Sequence, residues 1–416
     1  MNKKLLLMNT VRAIISRALG DARPEAAVRK ALLIDPPHPA GHLYLLAIGK
    51  AAWSMTKAAQ DVVGDRLKKG IVITKYGHSE GEIPHCEIYE AGHPVPDENT
   101  LTSTTSALHM TDQMSADDHL IFLISGGGSP LFENSDLSLA ELKSINKQLL
   151  GSGADISEIN TIRKRLSNVK GGQFALRCAP THITSIILSD VLGDRLESIA
   201  SGPAYPVSET TGEAINIVEK YHLKLSHQAR ALLYKDMPQI LDNVTSHIVG
   251  SVSGLMKSAA QVAEHHGFET VLLTDTADCE ARELGRLLGA VARTHAGSDK
   301  KKAFLIGGET VVTLKGSGSG GRNQEIALAA APYIEGLDNV VIFSFSSDGT
   351  DGPTDAAGGL VDGESLQQLR AKGFEPADVL SENNSYPALQ AIDGLIMTGP
   401  TGTNVNDLSV ILIVPR

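Results

Sequence analysis

The sequence predicts an α/β protein of two domains. Apolar runs of strand length alternate along the chain with helix-length amphipathic segments, the pattern of a parallel sheet covered on both faces. Several of these runs break directly into Gly with Ser, Thr, Asn or Asp, and in open α/β sheets such strand exits are where ligands bind. At 416 residues the chain has room for two or three domains with sizeable cores. Pro238 lies in a break, so the expected domains are residues 1–238 and 239–416.

In chain order, residues 2–19 read as an amphipathic helix with Leu7, Val11, Ile14, Ile15 and Ala18 on one face. Pro24 opens a second helix, at a position proline favours, and PPHP at 36–39 ends it. A strand at 43–48 leaves through Gly49 and Lys50 into an Ala-rich helix over 51–63. Strands come next at 70–74 and 87–91. Asp97 or Asn99 can cap the helix after them, which runs to about Met114. Beyond it lie a strand at 119–124, helical sequence over 138–180 broken at 168–172, a buried strand at 183–188 and two helices to about Lys235. Past the boundary, strands at 247–252 and 269–274 alternate with helices at 255–265 and 280–295. Residues 303–416 carry closely spaced strands, among them 303–306, 340–343, 395–397 and 410–414, and a helical segment at 324–331.

Composition excludes several classes. A formal net charge of −11 argues against nucleic acid as the main partner, and 4% aromatic residues against a base-stacking surface. Cys86, Cys178 and Cys279 are far apart and form no CxxC, so neither a disulfide framework nor a zinc site is expected and a reducing compartment is the simpler reading. The apolar run 5–8 is too short for a secretory segment, and Arg12 and Arg17 interrupt the sequence after it. No window approaches the ~18 apolar residues of a membrane span. The expectation is a soluble, cytoplasmic protein.

The loops carry the chemistry. GGETVVTLKGSGSGGRNQE (307–325) holds six glycines and reaches a helix start at Arg322 and Asn323, with Glu309 near its beginning. Free N–H groups and the helix dipole make such a loop a place for an oxyanion; a surface hairpin is the alternative. Gly316, Gly318 and Gly321 match GxGxxG, yet the loop is long, Arg322 comes directly after it, and Asp338 precedes the next strand, so a phosphate site fits better than a dinucleotide site. Lys50 stands where a strand gives way to a helix and could meet an anion there; an ordinary exposed lysine is the alternative. Tyr44 stands where a Walker A loop needs glycine. In SGGGS, the N–H groups of Gly126, Gly127 and Gly128 can cradle an oxyanion, with hydroxyl bonds from Ser125 and Ser129; a tight turn is the plainer account. Asp190 and Asp194 lie in SDVLGD, and Asp348, Asp351 and Asp355 in SSDGTDGPTDAAG. Mg²⁺ wants one or two carboxylates plus phosphate oxygens, so one ligand among these is expected, most of the others being turn formers or helix caps. HExxH and GxSxG are absent, which removes the commonest metalloprotease and serine-hydrolase readings.

AIGKAA, TKYGH, GHPVPDENT, LISGGGSPL, NTIRKRLSNVKGG, SDVLGD, ASGP, GGETVV, GRNQE, SSDGTDGPTDAAG and TGTNVND occur in this order across residues 47–407. Taken in series they resemble the class II glycerate kinases, which make 2-phosphoglycerate. The resemblance implies two α/β domains, the first Rossmann-like with a mainly parallel sheet and the second smaller and mixed, with the active site in a cleft between them. It implies transfer of the ATP γ-phosphoryl to D-glycerate with Mg²⁺ beside the nucleotide. It places the catalytic lysine and arginine on Lys50 and Arg322. Asp190 is then the first choice for meeting Mg²⁺ or orienting the attacking hydroxyl. Gly126 to Ser129 would cradle an anion, and Glu309, Asn323, Asp351 and Asn404 would line the cleft. Partners are the small molecules D-glycerate and ATP, with a homodimer left open. Members of this family have often been labelled hydroxypyruvate reductases, so an NAD(P)H-dependent reductase is the rival. That rival needs a dinucleotide fingerprint in the first βα unit, which AIGKAA does not supply.

Overall fold

A strand buried on both faces must be apolar throughout, and residues 43–48 (LYLLAI) meet that condition. In the computed structural model, which describes residues 3–189 and 195–416, they form the central strand β1 (Leu43–Ile48), buried at every position. The chain divides into two compact units, Pro24–Val249 and Met1–Arg23 with Gly250–Arg416.

The Pro24–Val249 unit is built on β1, β2 (Leu67–Lys75), β3 (Cys86–Ala91), β4 (His119–Ile124), β5 (His182–Leu188) and β6 (Val244–Gly250), in the order β3-β2-β1-β4-β5-β6. The pairings β3/β2, β2/β1, β1/β4 and β4/β5 are parallel. Side chains alternate across the sheet. Tyr44, Leu46 and Ile48 join one core with Phe122, Phe132 and Phe174, while Leu45 and Ala47 are fully buried on the other face. The helices Leu139–Gly151, Ile156–Leu166, Thr211–Lys220 and His227–Leu232 pack around a separate apolar cluster that includes Leu142, Ile162, Ile217 and Leu233. Capping starts them: Ser138, Asp155, Thr210 and Ser226 each accept an N–H of the first turn. Asp97 rather than Asn99 caps the helix Glu98–Thr111, with Thr100 closing a capping box.

The second unit holds β7 (Glu269–Ala277), β8 (Lys302–Gly308), β9 (Val340–Ser346), β10 (Gly358–Asp362), β11 (Leu395–Ile396) and β12 (Asp407–Ile413), ordered β11-β10-β9-β12-β8-β7. Only β7/β8 is a parallel pair; the others are antiparallel. This is the mixed α/β sheet expected for the second domain. β9 and β12 are buried along their whole length.

Two boundaries differ from the sequence reading. The helix Lys3–Asp21 belongs with the second unit, where it packs on the helix Val252–His265 and buries Leu7, Val11, Ile14 and Ala18. Leu7, Val11 and Ile14 each contribute about 1.5–3 kcal/mol on burial, and periodicity alone does not say which sheet receives that face. The division falls after Val249 rather than at 238, because 244–250 supplies the last strand of the first sheet. That strand, expected to reach 252, stops at Gly250 because Ser251 accepts the Gly254 N–H and starts a helix at Val252.

Candidate active site

In the first sheet the chain runs from β1 outward to β2 and β3, then crosses to β4 on the other side. The carboxyl ends of β1 and β4 therefore flank a topological switch point, where open α/β sheets bind ligands. The strands end together, Ile48 beside Ile124. Gly49 comes next with φ +112°, and a Cβ there would lie 2.3 Å from the Ser125 hydroxyl. The Lys50 N–H donates to the Gly126 carbonyl at 2.9 Å. Ser125 is a strap: its hydroxyl accepts the Ala51 N–H at 3.1 Å and donates to the Ile48 carbonyl at 3.2 Å. It is buried and committed to holding the two loops together.

This leaves the Lys50 side chain exposed, with no carboxylate at ion-pair distance among the described residues. Gly127, at φ +77°, lies against it; a Cβ at this position would be 2.9 Å from His93 Nε2 and 3.2 Å from Lys50 Cε. Only glycine takes that backbone and that proximity without strain. Among the described residues, the N–H groups of Gly126 and Gly127 are spent on no protein acceptor, and Gly128 begins a helical turn, Gly128–Leu131, whose first N–H groups have no internal partner. Burial, aided by the charges of Lys50, Lys75 and His78, lowers the pKa of His93 and keeps its imidazole neutral. The arrangement is one ammonium, unspent amide donors and a neutral imidazole at a strand exit, which suits an oxyanion. Ser129 is turned away: its hydroxyl bonds that of Ser201 at 2.9 Å, which donates to Asn160 at 3.1 Å. Ala200 and Ser201 hold φ of 50° and 61°, strained for side chains with a Cβ. His93, Asn160 and Ser201 are not among the site residues expected from sequence. Their signal was membership of GHPVPDENT, NTIRKRLSNVKGG and ASGP, three of the stretches that carry the family resemblance.

The second unit gathers its polar residues at the end of its sheet. Arg322 begins the helix Arg322–Ala330. Its Nε and Nη2 grip Asp407 at 2.5 and 3.1 Å, and Nη1 meets Glu309 at 3.0 Å. Burial disfavours charge on Arg322, but the bonds and charges of Asp407 and Glu309 outweigh it and raise its pKa. Burial pushes the Asp407 carboxyl up to about 6, against the opposing pull of Arg322. Asp351 is 2% exposed and caps the helix from a neighbouring strand exit, accepting the N–H groups of Asn323 and Gln324 at 3.1 and 2.9 Å. Asn323 is wholly buried and bonds Asp351 and Ser344. The structure thus uses Asn323 and Asp351 to position Arg322, while Glu309 and Asn404 are exposed. Asp407 is absent from the residues expected at the site; its only signal was an aspartate closing TGTNVND before an apolar strand.

The first part of the glycine-rich loop 316–321 is bonded to the segment 382–384. The N–H groups of Lys315 and Gly316 donate to Asn383, that of Gly318 to the Glu382 carbonyl and that of Ser319 to Asn384. A Cβ at Gly316 would lie 2.4 Å from the Glu382 backbone, and one at Gly320 2.1 Å from the Ser385 hydroxyl. These glycines serve close packing, and the N–H groups of Gly316, Gly318 and Ser319 are already used. Asp190, expected in catalysis or metal contact, and Asp194 lie outside the described residues.

Comparison with known proteins bears on both units. Residues 10–234 match the family described as a domain of unknown function, DUF4147, and residues 302–407 match the MOFRL family. The chain is 48% identical to D-glycerate 2-kinase of Thermotoga maritima over 96% of its own length and 97% of the relative's. It is 37% identical to a protein of Agrobacterium vitis that carries the name putative hydroxypyruvate reductase, over 97% of this chain and 94% of that one. A crystal structure of glycerate kinase from Thermotoga maritima superposes with a TM-score of 0.93 at 46% identity, covering 98% of this chain and 99% of the other. On this likeness over nearly the full length of both chains, the chain belongs to the class II glycerate kinase (glycerate 2-kinase) family.

Proposed function

We propose that the protein transfers the γ-phosphoryl group of ATP to the 2-hydroxyl of D-glycerate, giving 2-phosphoglycerate and ADP. The observation that carries this is Lys50: an ammonium with no ion-pair partner among the described residues, seated at the switch point against left-handed Gly127 and beside unspent amide donors. Phosphoryl transfer asks a protein for positioning and charge neutralisation more than for covalent chemistry. Lys50 and the Gly126–Gly128 amides supply a preorganised anion site. Arg322, fixed by Asp407, presents a second rigid cation whose orientation is set before substrate arrives. The names of the relatives support the acceptor: glycerate kinases recur among them, with D-glycerate 2-kinase at 48% identity.

Mg²⁺ enters this reading as the companion of ATP. Among the described residues no group of three or more His, Cys, Asp and Glu side chains could hold a metal ion. A hard cation carried by phosphate oxygens would need one or two carboxylates, with water completing its shell; Asp190, the carboxylate expected to meet it, lies outside the described residues. When bound the cation would offset negative charge on the phosphates. A cytoplasmic location belongs to the same reading; the three cysteines are free, and no described helix is long and apolar enough to cross a membrane.

The reductase reading keeps one supporting observation, since the strand order β3-β2-β1-β4-β5-β6 is that of dinucleotide-binding folds. Its binding loop is wanting: AIGKAA has no fingerprint, and the GxGxxG at 316–321 is packed and bonded internally. A paired assay decides. D-glycerate with MgATP should yield ADP and 2-phosphoglycerate. Hydroxypyruvate with NADH or NADPH should leave the cofactor unchanged. Cofactor loss without ADP would overturn the proposal.

A further inference from the structure

Beside the glycine cradle, the Pro24–Val249 unit holds a cavity of about 390 Å³, within the range of small-ligand sites. Four cations line it, Lys143, Lys147, Arg163 and Lys170, against one carboxylate, Glu133. Lys170 is paired with Glu133, so three positive charges remain unanswered in a chain of net charge −11. Lys143 and Lys147 share a face of the helix Leu139–Gly151, four residues apart. Like charges at that spacing repel, and among the described residues neither has a carboxylate partner. Arg163 donates from Nε to Asn146 at 2.7 Å. Its terminal nitrogens find no protein acceptor among the described residues, and burial lowers its pKa although the charge of Glu133 opposes this. A half-buried fork with its planar end unspent is a recognition element for phosphate.

The cavity also has an apolar side. Pro94, Val95 and Pro96 line it with Pro130 and Leu150, and Val95 and Leu150 are 54% and 68% exposed. Two segments serve both cavity and cradle: 93–96 carries His93, and 127–130 carries Gly127. A glycerate monoanion answers one positive charge and offers no flat apolar surface, whereas a nucleoside triphosphate offers both a polyanion and a base.

We propose that this cavity is the nucleotide site, its lysines and Arg163 holding the polyphosphate and its Val95–Leu150 side flanking base or ribose. The proposal rests on the kinase reading and extends it by naming the residues that hold ATP. Titration calorimetry of a non-hydrolysable ATP analogue with Mg²⁺, without glycerate, tests it on the full chain. Arg163→Met should weaken the analogue by about 10- to 100-fold, the usual loss of a charged hydrogen-bonding group. Lys147→Ala, an exposed change that leaves packing intact, should weaken it several-fold and reduce the salt dependence. In both, KM for D-glycerate should stay within about twofold while KM for ATP rises. Tripolyphosphate should displace the analogue. Wild-type nucleotide affinity in both variants, a rise confined to the glycerate KM, or no displacement by tripolyphosphate would each overturn the inference. These outcomes presuppose a wild-type enzyme that phosphorylates glycerate; a wild type that neither binds the analogue nor turns over would instead overturn the kinase reading.

Discussion

Arg322 and Asp407 form a two-point grip, Nε to Oδ2 at 2.5 Å and Nη2 to Oδ1 at 3.1 Å, across 85 residues of sequence. Antiparallel pairing sets it up: β12 begins at Asp407 beside Gly308, where β8 ends. Asp407→Asn keeps the shape and loses the charge. It should lower kcat/KM by about 10- to 100-fold, since Arg322 would still be present but less firmly aimed. Asp407→Ala leaves a partly buried guanidinium short of its partner and should destabilise the fold by about 3–5 kcal/mol, read by urea unfolding.

The same pair sets a pH limit. With its carboxyl pushed up to about 6 by burial, Asp407 takes up a proton as pH falls through 6 and releases its hold on Arg322. kcat/KM should therefore fall on the acid side with an apparent pKa near 6 that belongs to the coupled pair. In Asp407→Asn this limb should vanish while overall activity stays low. The stability effect has the opposite sign. The folded state binds this proton more tightly than the unfolded chain, so the contribution is full below the ordinary aspartate range and is lost as pH rises through about 6. An acid limb that survives in Asp407→Asn would assign it to another group.

Lys50 should separate activity from stability. It is exposed and makes no ion pair among the described residues, so Lys50→Ala should leave Tm within a degree or two while kcat falls by about 10²- to 10³-fold, the usual loss for one preorganised electrostatic group. Near-normal turnover would remove Lys50 from the mechanism.

Gly127 and Gly336 have nearly the same backbone, φ +77° and +76°, but different surroundings: a Cβ at Gly127 meets His93 and Lys50, and one at Gly336 meets nothing within 4 Å. Alanine at either should cost about 1–2 kcal/mol of left-handed strain. Only Gly127→Ala should also cut kcat/KM, by tenfold or more, because its methyl must displace the imidazole and the lysine stem. Equal activity in the two variants would show that the cradle tolerates rearrangement.

Locality decides how much of this molecule is legible in its sequence. β1 and β4 are readable because a strand buried on both faces is a run of apolar residues, in β4 from Leu120 on, and Lys50 and SGGGS because they stand directly after such strands. β10 is not readable: its Gly358 and Gly359 argue against a strand, yet a Cβ at Gly358 would lie 2.0 Å from the Ser344 carbonyl, so glycine is what lets β9 and β10 approach. The loop 316–321 resembles an anion cradle in composition, which cannot show that Asn383, Glu382 and Asn384 take the N–H groups of Gly316, Gly318 and Ser319. Asp351, for which sequence offers both a place lining the cleft and a helix cap, caps a helix from another strand exit. In each failure the deciding partner is distant in sequence and brought near only by strand order.

Lys170 and Glu133 allow a last test, of a pair that is structural although it borders the proposed nucleotide cavity. Lys170 is 1% exposed and Glu133 8%; their side chains bond each other, and the Ser167 hydroxyl donates to Glu133 at 2.6 Å. Burial lowers the pKa of Lys170, and the charge and hydrogen bond of Glu133 oppose that. Breaking such a pair from one side strands a buried charge, so Lys170→Met should lose about 3–5 kcal/mol in urea unfolding. Removing both charges with Lys170→Met and Glu133→Leu should recover most of that loss, a coupling of about 2–3 kcal/mol in the double-mutant cycle. Because the pair is neutral as a whole, the double variant should bind nucleotide within a few-fold of wild type, unlike Arg163→Met. A large loss of nucleotide affinity in the double variant, with stability restored, would move Lys170 from scaffold to ligand contact.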